Sequence, residues 1–102
     1  MKTSLVHMTV SELCDCEGVS LSVVAALVEH DVAHPVRGAR VEDWEFDATG
    51  ATWVKKAIRL HRDLDLDWLA VATLVDLLRE RDRLARENAA LKQQLERFID
   101  AS

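Results

Sequence analysis

The stretch Thr9–His30, TVSELCDCEGVSLSVVAALVEH, decides how the rest of the chain is read. Thr9 and Glu12 stand at the spacing of a capping box, in which each side chain satisfies a free amide at the other's end of the first turn. They predict a short helix that runs to about Cys16. Gly18 is where such a helix stops, because a residue without Cβ accepts the left-handed conformation of a C-terminal cap. Ser20 then caps a second helix that ends near His30. Two short helices joined by a Gly-containing turn form a helix-turn-helix.

Beyond this unit, Pro35 ends any helical continuation. Gly38 lies in VRGARVEDWEF between two strand-like runs, which reads as a short hairpin, a wing. In a strand, positions 44 and 46 share a face, so Trp44 and Phe46 turn inward together while Glu45 points out. Phe46 is read as core, and Trp44 is divided between core and contact surface. Asp47 caps a third helix, ATGATWVKKAIRLHRDL, with Trp53, Val54, Ala57, Ile58, His61 and Leu64 at core-facing spacing. DLDLDW breaks that helix, and Asp67 caps a last one from Trp68 to about Ile99.

The last helix contains no Gly or Pro and spans roughly 48 Å at 1.5 Å per residue, more than a small domain can cover. Leu77, Leu84, Leu91 and Phe98 recur every seven residues, and Leu74, Arg81, Asn88 and Leu95 fill the companion position. This is a coiled-coil pattern, in which a lone Asn fixes register and strand number. A homodimer paired through these eight residues is the expectation, with a solvated amphipathic tail as the alternative. The architecture expected is mainly α: a winged helix-turn-helix over residues 1–66, with a small β-hairpin wing, and a long C-terminal helix over residues 67–102.

An apolar fraction of 49% and a charged fraction of 30% in 102 residues fit one folded domain with a modest core. No apolar run approaches a membrane span, and MKTSLVHMTV lacks a signal-peptide core, so a cytoplasmic location is expected. Cys14 and Cys16, two apart on a helix, point to different faces and suit no mutual disulfide. They are read as reduced, Cys14 in the core and Cys16 at its edge. His7, His30, His34 and His61 are scattered, and no metal-ligand spacing emerges. No nucleophile–base pair or Gly-rich phosphate loop is legible either. Catalytic residues, metals and cofactors are therefore not expected, and an enzyme is not the reading.

Charge is the most informative quantity. The net charge of −5 hides three basic against nine acidic side chains in residues 1–54, and ten against nine in residues 55–102. DNA binding draws on Lys and Arg, yet the second helix has neither from Ser20 to His34. The wing sets Arg37 and Arg40 against Glu42, Asp43, Glu45 and Asp47. The basic stripe Lys55, Arg59, Arg62 reads first as complementing a helix C-terminus, with Arg59 paired to Asp63; contact with phosphate is the rival. A protein partner suits the residues better. With Leu21, Val24, Ala25 and Val28 as the core stripe of the second helix, Val23, Ala26 and Leu27 are an apolar surplus. Leu27 and Trp44 beside the acidic rim then form the expected contact patch.

The residues SELC, GVS before the second helix, WEFD opening the third, RLHRDLDLDW joining third and fourth, and the C-terminal heptads together resemble the chaperone modulator CbpM family. The resemblance covers nearly the whole chain, in order and with similar spacing. It implies a MerR-like winged helix-turn-helix fold and a partner, the J-domain of the co-chaperone CbpA. It further implies inhibition of CbpA's stimulation of the Hsp70 chaperone DnaK, and suppression of CbpA's own DNA binding. A J-domain presents a basic helix, so the resemblance implies that Glu42, Asp43, Glu45 and Asp47 face it, with Asp63 and Asp65 as further charges. The chain departs from the family pattern at HDVAHP, where His34 stands before the proline in place of a carboxylate. A MerR-type transcriptional regulator acting through Lys55, Arg59 and Arg62 is the competing class, and a plain dimerisation module is the third.

Overall fold

A computed structural model describes residues 7–101. Strand β1 (His7–Thr9) leads into α1 (Val10–Glu17) and α2 (Leu21–Glu29); a 3-10 turn (Val41–Asp43) precedes β2 (Glu45–Asp47), α3 (Ala48–Leu64) and α4 (Trp68–Ala101). Helix boundaries follow local chemistry. The Thr9 hydroxyl accepts from the Glu12 amide at 3.1 Å and the Glu12 carboxylate accepts from the Thr9 amide at 2.8 Å, which completes the capping box. Gly18 closes α1 in the left-handed region, φ 68°. Ser20 precedes α2 in extended conformation, but its hydroxyl meets that of Ser22 at 2.8 Å and bonds no helix amide. Asp47 accepts from the Gly50 amide at 2.7 Å to start α3, and Asp67 accepts from the Ala70 amide at 2.8 Å to start α4.

The small antiparallel sheet is present, with a pairing the sequence did not indicate. β2 pairs with β1, setting His7 opposite Asp47, Met8 opposite Phe46 and Thr9 opposite Glu45. On its other side β2 meets the expected wing partner in a single bridge, Arg37 to Glu45. Gly38 explains why no longer ladder grows. At φ 108° it folds the chain so closely onto Asp43 and Trp44 that a Cβ would lie 2.3 Å from the Asp43 carbonyl oxygen. The following residues then take the 3-10 turn instead of a strand.

All four helices and β2 feed one core. It contains Val10 and Leu13 of α1, Val24 and Leu27 of α2, Phe46, then Ala51, Val54, Ala57 and Ile58 of α3, and Val71, Ala72 and Val75 of α4. Two expectations are corrected here. The interior face of α2 is centred on Val24 and Leu27, with Val23 and Val28 half-buried at its flanks, while Leu21 is exposed. Leu64 is 55% exposed, because α3 outruns the core one turn before it ends.

Long side chains lock the helices together. Glu17, only 8% exposed, receives Arg59 at 3.2 Å on its carboxylate and Arg62 at 2.8 Å on its carbonyl oxygen, fastening α1 to α3. Arg59 therefore pairs across the fold and not with Asp63 as the i, i+4 spacing indicated. Arg79 donates to the carbonyl oxygens of Asp31 and Val32 past the end of α2, and its guanidinium lies 4.9 Å from the Trp53 ring centre. At the α3–α4 turn Asp65 adopts φ 53°, and the His61 ring stacks on Trp68 at 3.9 Å. Cys14 is half-buried and Cys16 exposed; burial, and then the neighbouring Asp15 carboxylate, push the Cys14 thiol above its usual range. Among the described residues no helix is long and apolar enough to cross a membrane.

Two outcomes follow. Gly38→Ala must open the contact with Asp43, so it should cost at least about 2 kcal/mol in urea unfolding, beyond a simple loss of glycine flexibility. A cost near zero would mean the turn is not confined. Arg59→Ala strips the buried Glu17 of its cation while Arg59 itself is 59% exposed, and should cost about 1–2 kcal/mol. Asp63→Ala, which removes the local alternative, should leave stability within about 0.5 kcal/mol.

Candidate functional site

The surface that the acidic residues build is set by the chain between Gly38 and α3. The 3-10 turn lifts Glu42 and Asp43 clear of the core, and both are exposed. Arg40 approaches them, at 2.8 Å from Glu42 and 3.9 Å from Asp43. All three side chains are more than half exposed, so these pairs contribute at most about 1 kcal/mol each and are screened by salt. Val36 is exposed nearby, its amide bonded to the Glu45 carbonyl oxygen at 2.8 Å. Trp44 is half-buried, edge-on to Phe46 with ring centres 6.3 Å apart, so it serves the core and still offers part of its indole to solvent.

The remaining two carboxylates of the rim have local duties. Glu45 is part-buried, with an oxygen 3.4 Å from Nδ1 of His7 across the sheet. Asp47 is the N-cap of α3. Only Glu42 and Asp43 are thus both exposed and unoccupied by a structural role, and the patch is smaller than the sequence indicates.

Three other predicted contact residues are not brought to it. Leu27 is fully buried in the core, which removes it as a surface contact; α2 packs against α1, the 3-10 turn, α3 and α4. Asp63 and Asp65 are exposed at the far end of α3, a helix of 17 residues, about 24 Å from Asp47. They stand apart from the wing, at the other end of α3.

The rival basic stripe is also changed by the fold. Arg59 and Arg62 are engaged by Glu17, and Lys55 is half-buried. Two of the three cations of the stripe thus help to hold α1 to α3. Among the described residues, no group of three His, Cys, Asp or Glu is placed to hold a metal ion.

On α4, Leu74 is half-buried at the edge of the globule, and Leu77, Leu84, Leu91, Leu95 and Phe98 are exposed. Arg81 lies 3.2 Å from Asp82, and Asn88 is exposed. Sequence reasoning missed the Arg79 clamp and the buried Glu17. A signal for the first was present: Arg79 is four residues beyond Val75, so helical spacing puts it on the core face, where an Arg needs acceptors. Glu17 had no such signal, because its partner is 42 residues away.

Comparison with known proteins agrees with this layout. The family model for MerR HTH family regulatory proteins matches residues 8–93. The chaperone modulatory protein CbpM of Pseudomonas putida (strain KT2440) is 39% identical over 97 residues, 95% of each chain. That of Pseudomonas entomophila (strain L48) is 38% identical over 96 residues, 94% of each chain. That of Salmonella newport (strain SL254) is 37% identical over 99 residues, 97% of each chain. With at least 37% identity over 94% or more of each chain, the chain belongs to the MerR-type helix-turn-helix regulatory family and, within it, to the chaperone modulatory protein CbpM family.

Proposed function

We propose that this protein is a non-enzymatic, cytoplasmic chaperone modulator that binds the J-domain of a CbpA-type co-chaperone. By covering the J-domain's basic helix it keeps the co-chaperone from stimulating Hsp70 and from binding DNA. The observation that carries this reading is the exposed pair Glu42 and Asp43, set beside the part-exposed Trp44 and the exposed Val36. A cationic helix would exchange the weak Arg40 pairs for its own, with steering by the acidic N-terminal half and an aromatic anchor at the centre. Glu45 contributes charge from the rim, and Asp47 contributes chiefly by holding the turn in place.

The competing reading, a DNA-binding transcriptional regulator, is favoured by the description of the family model. Against it stand the absence of Lys and Arg in α2 and the engagement of Arg59 and Arg62 by Glu17. Each of these guanidiniums already spends a donor on the fold, which reduces the phosphate footprint the stripe offers.

The test is calorimetric titration of the purified J-domain into the full chain and into Glu42→Lys/Asp43→Lys. The double reversal leaves the Asp47 cap and the core intact, so it should fold normally. Affinity should fall by about 10–100-fold, and the salt dependence of binding should flatten. Unchanged affinity in a folded double variant would remove the turn from the interface. Sequence-selective capture of duplex DNA by the wild-type chain at ordinary ionic strength would favour the regulator.

A further inference from the structure

We infer that the trough between the first half of α3 and the middle of α4, beside Trp53, is a docking site for an acidic segment of a protein partner. The support begins with a change of composition along one face of α4. Val71, Ala72 and Val75 lie in the core. Helical spacing carries that face on to Arg79, Asp82, Arg83 and Arg86, so the stripe turns from apolar to mainly cationic. Across from it α3 presents Thr49, Trp53 and Lys56, also at the spacing of one helix face. The two faces do not close on each other. They leave cavities of about 330 and 540 Å3 that share Thr49, Trp53, Asp82 and Arg86. Both exceed the roughly 300 Å3 at which ligand sites begin.

The second support is which charges of the trough are already spent. Four cations line it, Lys56, Arg79, Arg83 and Arg86, against the carboxylates of Asp76, Glu80 and Asp82. Arg79 donates to the carbonyl oxygens of Asp31 and Val32 and lies 3.8 Å from Asp76. Arg83 is paired with Glu80 and Glu87, and Asp82 lies 3.2 Å from Arg81. Every carboxylate of the rim thus has a cation. Lys56 and Arg86, by contrast, enter no ion pair among the described residues. Lys56 lies over the Trp53 ring instead, 4.8 Å from its centre. Both unspent cations line the smaller cavity, so one short segment reaches the two of them.

The third support is the kind of anion that suits this lining. A nucleic acid brings a continuous row of phosphates, which Asp76, Glu80 and Asp82 would repel. A protein segment brings a few carboxylates for Lys56 and Arg86, and amides that the rim carboxylates accept. It also brings an apolar side chain for Trp53, whose indole is half-buried and so offers an anchor without leaving the fold. The net charge of −5 does not prevent this. At physiological salt, charges more than about 8 Å away are largely screened, and the trough itself carries four cations against three carboxylates.

The inference is independent of the J-domain reading, and it is tested by titrating the full chain with the synthetic peptide acetyl-Glu-Leu-Glu-Glu-Leu-Glu-amide. The readout is the indole N–H resonances in nitrogen-edited NMR. The chain has three tryptophans, so Trp44 at the acidic turn and Trp68 at the start of α4 serve as internal references, and Trp53→Phe assigns the third. The Trp53 resonance should move saturably while the other two stay. Lys56→Glu/Arg86→Glu should weaken binding at least about 10-fold, and because both side chains are exposed the variant should fold normally. Lys92→Glu/Arg97→Glu makes the same change of net charge farther along α4 and should bind as the wild type does. Glu42→Lys/Asp43→Lys should bind the peptide no more weakly than the wild type, which separates this site from the acidic turn. A Trp53 resonance that ignores the peptide would overturn the proposal. So would equal binding of the peptide with Gln in place of Glu, or equal weakening by the Lys92/Arg97 pair. A short duplex oligonucleotide that moves Trp53, and fails to do so in Lys56→Glu/Arg86→Glu, would assign the trough to nucleic acid and also overturn it.

Discussion

The acidic surface is held in place by the burial of one ring, Phe46. It is fully buried, and it sits one residue before the Asp47 cap and one after Glu45. Alternation along β2 then obliges its neighbours to turn outward. Burial of the ring contributes about 1.5–3 kcal/mol. A slip of one residue would reverse every side chain, placing Phe46 in water and the carboxylates of Glu45 and Asp47 against the core, at a cost well above that gain. The same strand receives the start of α1, through the Val10 amide on the Trp44 carbonyl oxygen at 2.9 Å. An apolar constraint thus positions a charged surface.

Ion pairs in this small domain serve two purposes that burial separates. Glu17 and Arg59 meet where the carboxylate is withdrawn from water, so removing Arg59 leaves Glu17 poorly solvated. Arg40, Glu42 and Asp43 meet in open solvent, where exchange for other ions costs little. The first kind fixes one helix against another. The second leaves its carboxylates free to be read by something outside the chain. In this helix-turn-helix Arg59 and Arg62 each give a hydrogen bond to Glu17 and so help to hold the motif together.

α4 runs through two environments. Its first turns complete the core and are pinned by Arg79, which caps the chain beyond α2 and covers Trp53. Past Asp82 the same helix stands in solvent and keeps only its narrow seam.

The residues by themselves determined whatever depends on neighbours within about four positions. Thr9 and Glu12, Gly18, Asp47 and Asp67 announce helix ends through local capping, and α1, α3 and α4 begin or end accordingly. The heptads of α4 and the inward turn of Phe46 are legible for the same reason, being periodicities of one element. Tertiary structure decided the rest. The nine residues of α2 are apolar on so many sides that their own pattern cannot choose Leu27 over Leu21 for the core; only the elements packed around it, α1, the 3-10 turn, α3 and α4, do. β2 found β1, 38 residues earlier, once Gly38 had spoiled the nearer partner. Arg59 crossed to Glu17 because a carboxylate withdrawn from water gains more from a cation than the exposed Asp63 does, and that difference exists only after the chain has folded.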